Sequence, residues 1–162
     1  MYKRQCNDYA DAAVRLEDSG GTDTVTFTPT NVNVQLSLGT TAWQAATAFV
    51  DVQLASPTAF ENLTGGSSFD FLSGNGLDNQ LVGGGDADTF FIGHALGGGG
   101  FAMFGNDAVT DFGTGADAVD LATGLSVRSG LGTATVVIWD GANDYGTLTA
   151  SNGRPWVPGD FT

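Results

Sequence analysis

Asp70, Asn79 and Asp88 recur at a spacing of nine residues, each at the end of a glycine-rich turn and each followed two places later by Leu72, Leu81 or Phe90. In ninefold register, Gly65 to Phe91 reads GGSSFDFLS, GNGLDNQLV, GGGDADTFF. Glycines at the first places, with Gly76 and Gly85 at the third, allow strained or left-handed backbone, so a turn can close tightly and aim its carbonyl oxygens at one point. A sixth-place carboxylate adds a charged, hard oxygen to that set. Oxygen ligands at about 2.3–2.6 Å in flexible geometry suit calcium, whereas magnesium demands a stricter octahedron. The eighth-place apolar residue lies in a short extended segment whose neighbours face the other way, so each repeat sends one side chain inward.

These three copies resemble the glycine- and aspartate-rich nonapeptide repeats of the RTX proteins. The resemblance implies an all-β fold: a short parallel β-roll in which two nonapeptides make one coil, flanked by β-strands and closed by a C-terminal β-rich cap. Turns then alternate between two sides, and calcium is held between turns one coil apart. Asp70 and Asp88 should share a side, with Asp86 as an extra acid and Gly66, Ser68 and Gly84 as turn ligands. Asn79 should lie opposite, above a turn Ser56–Glu61 with Glu61 at its sixth place, a degenerate second site because Asn79 is uncharged and Pro57 and Phe60 replace glycines. Asn75, Ser68, Leu77 and Asp86 also stand where the repeat has glycine. A further nonapeptide after Phe91, IGHALGGGG, lacks the acid, so the repeats are expected to end there.

Composition agrees with cations as partners. The chain has 162 residues and a formal net charge of −13, and Lys3 is its sole lysine, which argues against nucleic acid or an anionic membrane as partner. Crowded carboxylates repel without a counter-ion, so the roll is expected to fold poorly without calcium. With one cysteine, Cys6, neither an intrachain disulfide nor a zinc–thiolate cluster can form. No apolar run is long enough to cross a bilayer. The opening MYKRQ translates a transposon-end adapter and is read as a library scar on a fragment of a longer reading frame.

Four regions are expected: the scar at 1–5, strands over 6–55, the roll over 56–92 and the cap over 93–162. Asn7 to Glu17 reads equally as helix or strand. Gly21, Asp23 and Val25 repeat the core of the motif without an identifiable partner turn and are read as a turn and strand. Alternation marks strands at Val32–Leu38 and Val50–Leu54, with Trp43 between them. Gly97–Gly100 reads as a connection. Phe104–Leu121 resembles the sequence that follows the repeats in RTX proteins; its Asp107, Asp111, Asp117 and Asp120 either form another calcium site or cap turns. Thr133–Trp139 and Tyr145–Ala150 read as a hairpin in the cap, with Phe69, Phe71 and Phe91 outward-facing and packed beneath it.

No catalytic constellation emerges. A serine nucleophile elbow is absent, the single histidine, His94, cannot build a zinc-protease motif, and Gly97–Gly100 lacks a phosphate-loop lysine. The expectation is a noncatalytic, calcium-binding module of a secreted, extracellular protein, acting with calcium ions, an upstream domain and a type I exporter. The alternatives are a fragment of a secreted protease, lipase or alginate epimerase with its catalytic residues upstream, and an adhesin module.

Overall fold

The structure is a computed structural model that describes residues 3–5, 12–18, 20–93 and 105–162. Cys6, His94, Gly97–Gly100, Phe104 and the start of the Asn7–Glu17 segment lie outside the described residues. The described chain is all-β, with fifteen strands, one 3-10 turn at Pro158–Asp160 and no α-helix. No helix among the described residues is long and apolar enough to cross a membrane.

Region 56–92 forms four short strands: β7 (Asn62–Thr64), just before the repeats, and β8 (Phe71–Ser73), β9 (Gln80–Val82) and β10 (Thr89–Ile92) within them. Their middle residues Leu63, Leu72, Leu81 and Phe90 are fully buried. A three-residue strand has room for one inward side chain, and the period-two pleat turns its neighbours outward. Successive strands fall alternately into two sheets, β7 and β9 pairing in one and β8 and β10 in the other, both in parallel.

This coiling extends beyond 56–92 at both ends. Upstream, β3 (Thr24–Thr26) pairs in parallel with β7, and β4 (Gln35–Ser37) with β8. Downstream, β11 (Asn106–Val109) pairs with β9, and β12 (Ala118–Leu121) with β10. Two interior ladders result. Val25, Leu63, Leu81, Val109 and Ala150 run along one sheet, and Leu36, Leu72, Phe90 and Val119 along the other. The expected strand over 32–38 is shorter, at Gln35–Ser37, although Val34, Leu36 and Leu38 are all buried.

Before the repeats, β2 (Ala12–Leu16) resolves the helix-or-strand ambiguity as strand and pairs with β6 (Val50–Leu54), which also pairs with β5 (Gln44–Ala45). Lys3–Gln5 forms β1, parallel to β3, so the segment read as a scar sits at an edge of the first sheet.

The cap is a meander of β13 (Ser126–Ser129), β14 (Thr135–Trp139) and β15 (Asp144–Ala150) that joins the first sheet through the parallel β15–β11 pair. The aromatics beneath it are not the expected ones. Trp156 is fully buried, with ring centroids 4.5 Å from Phe112 and 5.4 Å from Phe161. Phe71 and Phe91, which flank the inward eighth place and so face away from the core, instead lie 5.9 Å apart along the outer side of the second sheet, and Phe69 from the preceding turn packs edge-on against Phe71 at 4.8 Å.

Truncating the ladder should open a cavity in a core one residue wide. Leu72→Ala and Leu81→Ala are each expected to cost about 2–5 kcal/mol in urea denaturation, while Phe69→Ser, at a half-open surface position, costs under about 1 kcal/mol.

Candidate metal centre

Turn Gly65–Asp70 carries the chain from β7 to β8, and turn Gly83–Asp88 carries it from β9 to β10, so parallel pairing stacks one on the other. The Asp70 amide donates to Asp88 Oδ1 at 2.9 Å. The step recurs above and below: Asp88 N–H donates to Asp117 Oδ1 at 3.0 Å, and Val34 N–H to Asp70 Oδ1 at 2.7 Å. Asp70, Asp88 and Asp117 therefore form a column on one flank, each carboxylate accepting the amide of the coil beneath.

The opposite flank carries Asp23, Glu61, Asn79 and Asp107. Asp23 N–H donates to Glu61 Oε2 at 2.8 Å, so the isolated Gly21–Val25 motif does have a partner turn, the degenerate Ser56–Glu61. Asn79 sits above Glu61, its Nδ2 donating to the Glu61 carbonyl at 3.0 Å, and its own amide donates to Asp107 Oδ1 at 2.9 Å.

The first-place glycines are required by these carboxylates rather than by unusual dihedrals. A Cβ on Gly65 would overlap Asp70 Oδ2, one on Gly74 the Asn79 Oδ1, and one on Gly83 the Asp88 Oδ2. Within the repeats only Gly84 (φ 112°) and Asp86 (φ 64°) take positive φ. Gly84 also meets the coil below, since a Cβ there would overlap the Gly66 carbonyl oxygen, and a Cβ on Gly85 would press on the Ser67 carbonyl at 3.1 Å. The turn carbonyls thus point from one coil at the glycines of the next.

Burial dominates the electrostatics. It raises Asp70 from the ordinary aspartate value of 3.8 to about 6, against the lowering effect of hydrogen bonds from the Gly66 and Val34 amides. It raises Asp88 to about 7, opposed by the Asp70 amide and reinforced by the charges of Asp70, Asp117 and Asp111. Asp107 likewise rises to about 7 through burial, with Asp78 adding repulsion. The ion pairs among the described residues are Arg15–Glu17, Arg128–Asp144 and Arg154–Asp160, and none involves these three acids.

The remaining candidates separate. Gly66 N–H donates to Asp70 Oδ2 at 2.6 Å. Ser68 turns aside, its hydroxyl donating to Asn33 Oδ1 at 3.0 Å. Asp86 lies exposed at the turn apex, with its carbonyl oxygen where a Cβ on Gly115 would fall. Asp111 accepts the Gly83 and Gly84 amides at 3.0 and 2.8 Å, clamping the turn beneath it. Asp107 and Asp117 stand on opposite flanks, and Asp120 lies within β12 opposite Phe91, so the four acids of 107–120 do not converge on one further site. Their spacing belongs to a longer coil that sends its two sixth-place acids to opposite sides. Above Asp117, Arg154 makes a bidentate pair with Asp160 at 2.8 Å and lies over the Phe112 ring at 4.9 Å. Sequence reasoning missed Asn75, which is buried and hydrogen-bonded to Asn79; the signal was two asparagines four apart within one repeat.

Among the described residues, no three His, Cys, Asp or Glu side chains group to hold a metal. A cation between the Asp70 and Asp88 turns would therefore draw on carbonyls such as those of Gly66 and Ser67 as well as carboxylates. That donor set is all oxygen, which fits a calcium-like ion and not a thiophilic one. No protein-family model matches the chain, and no curated protein matches it.

Two outcomes are expected. Gly83→Ala, which forces a methyl onto Asp88 Oδ2, should cost about 1–3 kcal/mol, whereas Gly159→Ala, with nothing within 4 Å of its added methyl, should be tolerated. In chelator, carboxylates whose pKa is higher folded than unfolded favour the fold when protonated, and that contribution is lost as pH rises through about 6 to 7. The thermal midpoint of the metal-free chain should accordingly be higher at pH 5 than at pH 8.

Proposed function

We propose that this chain is a noncatalytic calcium-binding module, a parallel β-roll of the RTX kind, that orders on calcium outside the cell as part of a larger secreted protein. The observation that supports this most is the Asp70–Asp88 flank. Two carboxylates are buried one above the other on glycine corners, the groups nearby that could ligate an ion are carboxylate and carbonyl oxygens, and neither acid is paired with a cationic side chain among the described residues. At neutral pH such a column needs a counter-charge. A bound calcium ion would supply it while tolerating the irregular geometry of backbone carbonyls. Asp70 and Asp88 would hold the ion, and the carbonyls of Gly66 and Ser67 would complete its surroundings.

In this reading metal binding and folding are one equilibrium. At neutral pH, where the buried acids ionise, the chain is largely open when calcium is scarce, consistent with threading through a type I exporter, and closes where calcium is abundant. Extracellular sites of this class bind at about 10⁻⁴–10⁻³ M.

Titrating calcium into the chelator-treated chain should produce a cooperative gain of β-signal in circular dichroism within that range, with magnesium ineffective. Asp88→Asn should raise the midpoint about tenfold, since affinity follows the count of charged ligands. Asp144→Asn, which removes an acid exposed beside Arg128, should leave it unchanged. A flat response through several millimolar calcium would overturn the assignment.

A further inference from the structure

The two flanks differ where Asn79 replaces an acid. Asn75 and Asn79 are both buried, and their amide orientations are fixed by partners that can only donate or only accept. Asn79 Oδ1 receives the Asn75 backbone N–H at 2.6 Å, so its Nδ2 must face the Glu61 carbonyl and Asn75 Oδ1, both at 3.0 Å. Asn75 Oδ1 in turn receives the Leu77 N–H at 2.9 Å, and Asn75 Nδ2 donates to the Phe60 carbonyl at 2.7 Å. An NH₂ group thus lies among oxygens of two stacked turns, where on the opposite flank Asp70 and Asp88 turn a carboxylate oxygen to the coil beneath, and in the calcium reading a cation is what such a cluster of oxygens would otherwise need. Both hydrogens of Asn79 Nδ2 are committed.

We propose that the Asn75–Asn79 pair is a built-in substitute for a bound cation between the Ser56–Glu61 and Gly74–Asn79 turns. That gap excludes metal and closes without it, leaving Asn79 as the residue that decides which flank takes an ion. An aspartate at 79 would set a second oxygen against Glu61 O and Asn75 Oδ1 and recreate the need for a positive charge. The inference rests on the calcium reading for what an ion does on the opposite flank, but the clasp itself is testable in the absence of metal.

Hydrogen exchange of the wild-type chain in chelator, at a pH where residual structure persists, compares turn amides. Asn75 and Leu77 should exchange at least tenfold more slowly than Gly66, Asp70 and Gly85. Equal rates on the two flanks would overturn the clasp, whether or not calcium binds at all. Separately, Asn79→Asp should lower the urea midpoint in chelator and bind one calcium more per chain than wild type by equilibrium dialysis, with calcium restoring the midpoint. An unchanged midpoint with unchanged stoichiometry would count against the proposal. Should the variant stay unfolded at every calcium level, the wild-type exchange pattern decides the matter. A wild type that binds no calcium but keeps Asn75 and Leu77 protected would sink the functional reading and leave the clasp standing.

Discussion

One contact recurs through the coils: a carboxylate at the end of a turn accepts the backbone amide of the residue one coil beneath. Asp70 does this to Val34, Asp88 to Asp70, Asp117 to Asp88, Asp107 to Asn79 and Glu61 to Asp23. Strands of three or four residues bring few ladder hydrogen bonds, so register within the sheets rests on one or two buried side chains per strand. The carboxylate step sets it at the corners, where it also satisfies amides that would otherwise be buried without partners. Glycine follows as a consequence. Where the carboxylate folds back against its own turn, the first-place residue has no room for a Cβ.

The same contact generates the electrical problem of the fold. An acid that caps a buried amide is itself buried, and stacking coils aligns such acids in a column. The amides lower each pKa, but desolvation outweighs them at Asp70, Asp88 and Asp107. A chain with five basic residues against eighteen acidic ones has few cations to place beside them. Compaction and neutralisation are therefore coupled, and protons or external cations become part of the stability of the coil.

The ladder and the two flanks were legible in the sequence because they depend on a strict period. Leu63, Leu72, Leu81 and Phe90 fall where ninefold spacing puts them, and so do Asp70, Asn79 and Asp88. What escaped was every coil of a different length. The passages from β3 to β4 and from β10 to β11 do not keep a multiple of nine residues, so Asp23 and Asp107 fall out of register although they stack in space. Spacing also misread Asn75, which it counted as a missing glycine. The position has room for a side chain, and its amide is used.

Neutralisation is unevenly distributed over the molecule. At the cap end the Asp117 column meets Arg154, a fixed guanidinium anchored by Asp160 and stacked on Phe112, so that end carries its own positive charge. Beside it the chain terminus covers the edge of the second sheet, Thr162 N–H donating to the Val119 carbonyl and Leu121 N–H to that of Thr162, which protects a strand otherwise open to further pairing. Between Glu61 and Asn79 the side-chain amides of Asn75 and Asn79 bridge the stacked turns with hydrogen bonds that need no counter-ion. The paired turns of Asp70 and Asp88 have neither device, since their neighbours are amides, glycines and other acids. Removing water from that corner costs most when both carboxylates are ionised, so it should be the last part of the coil to close and the part most responsive to what the solvent supplies.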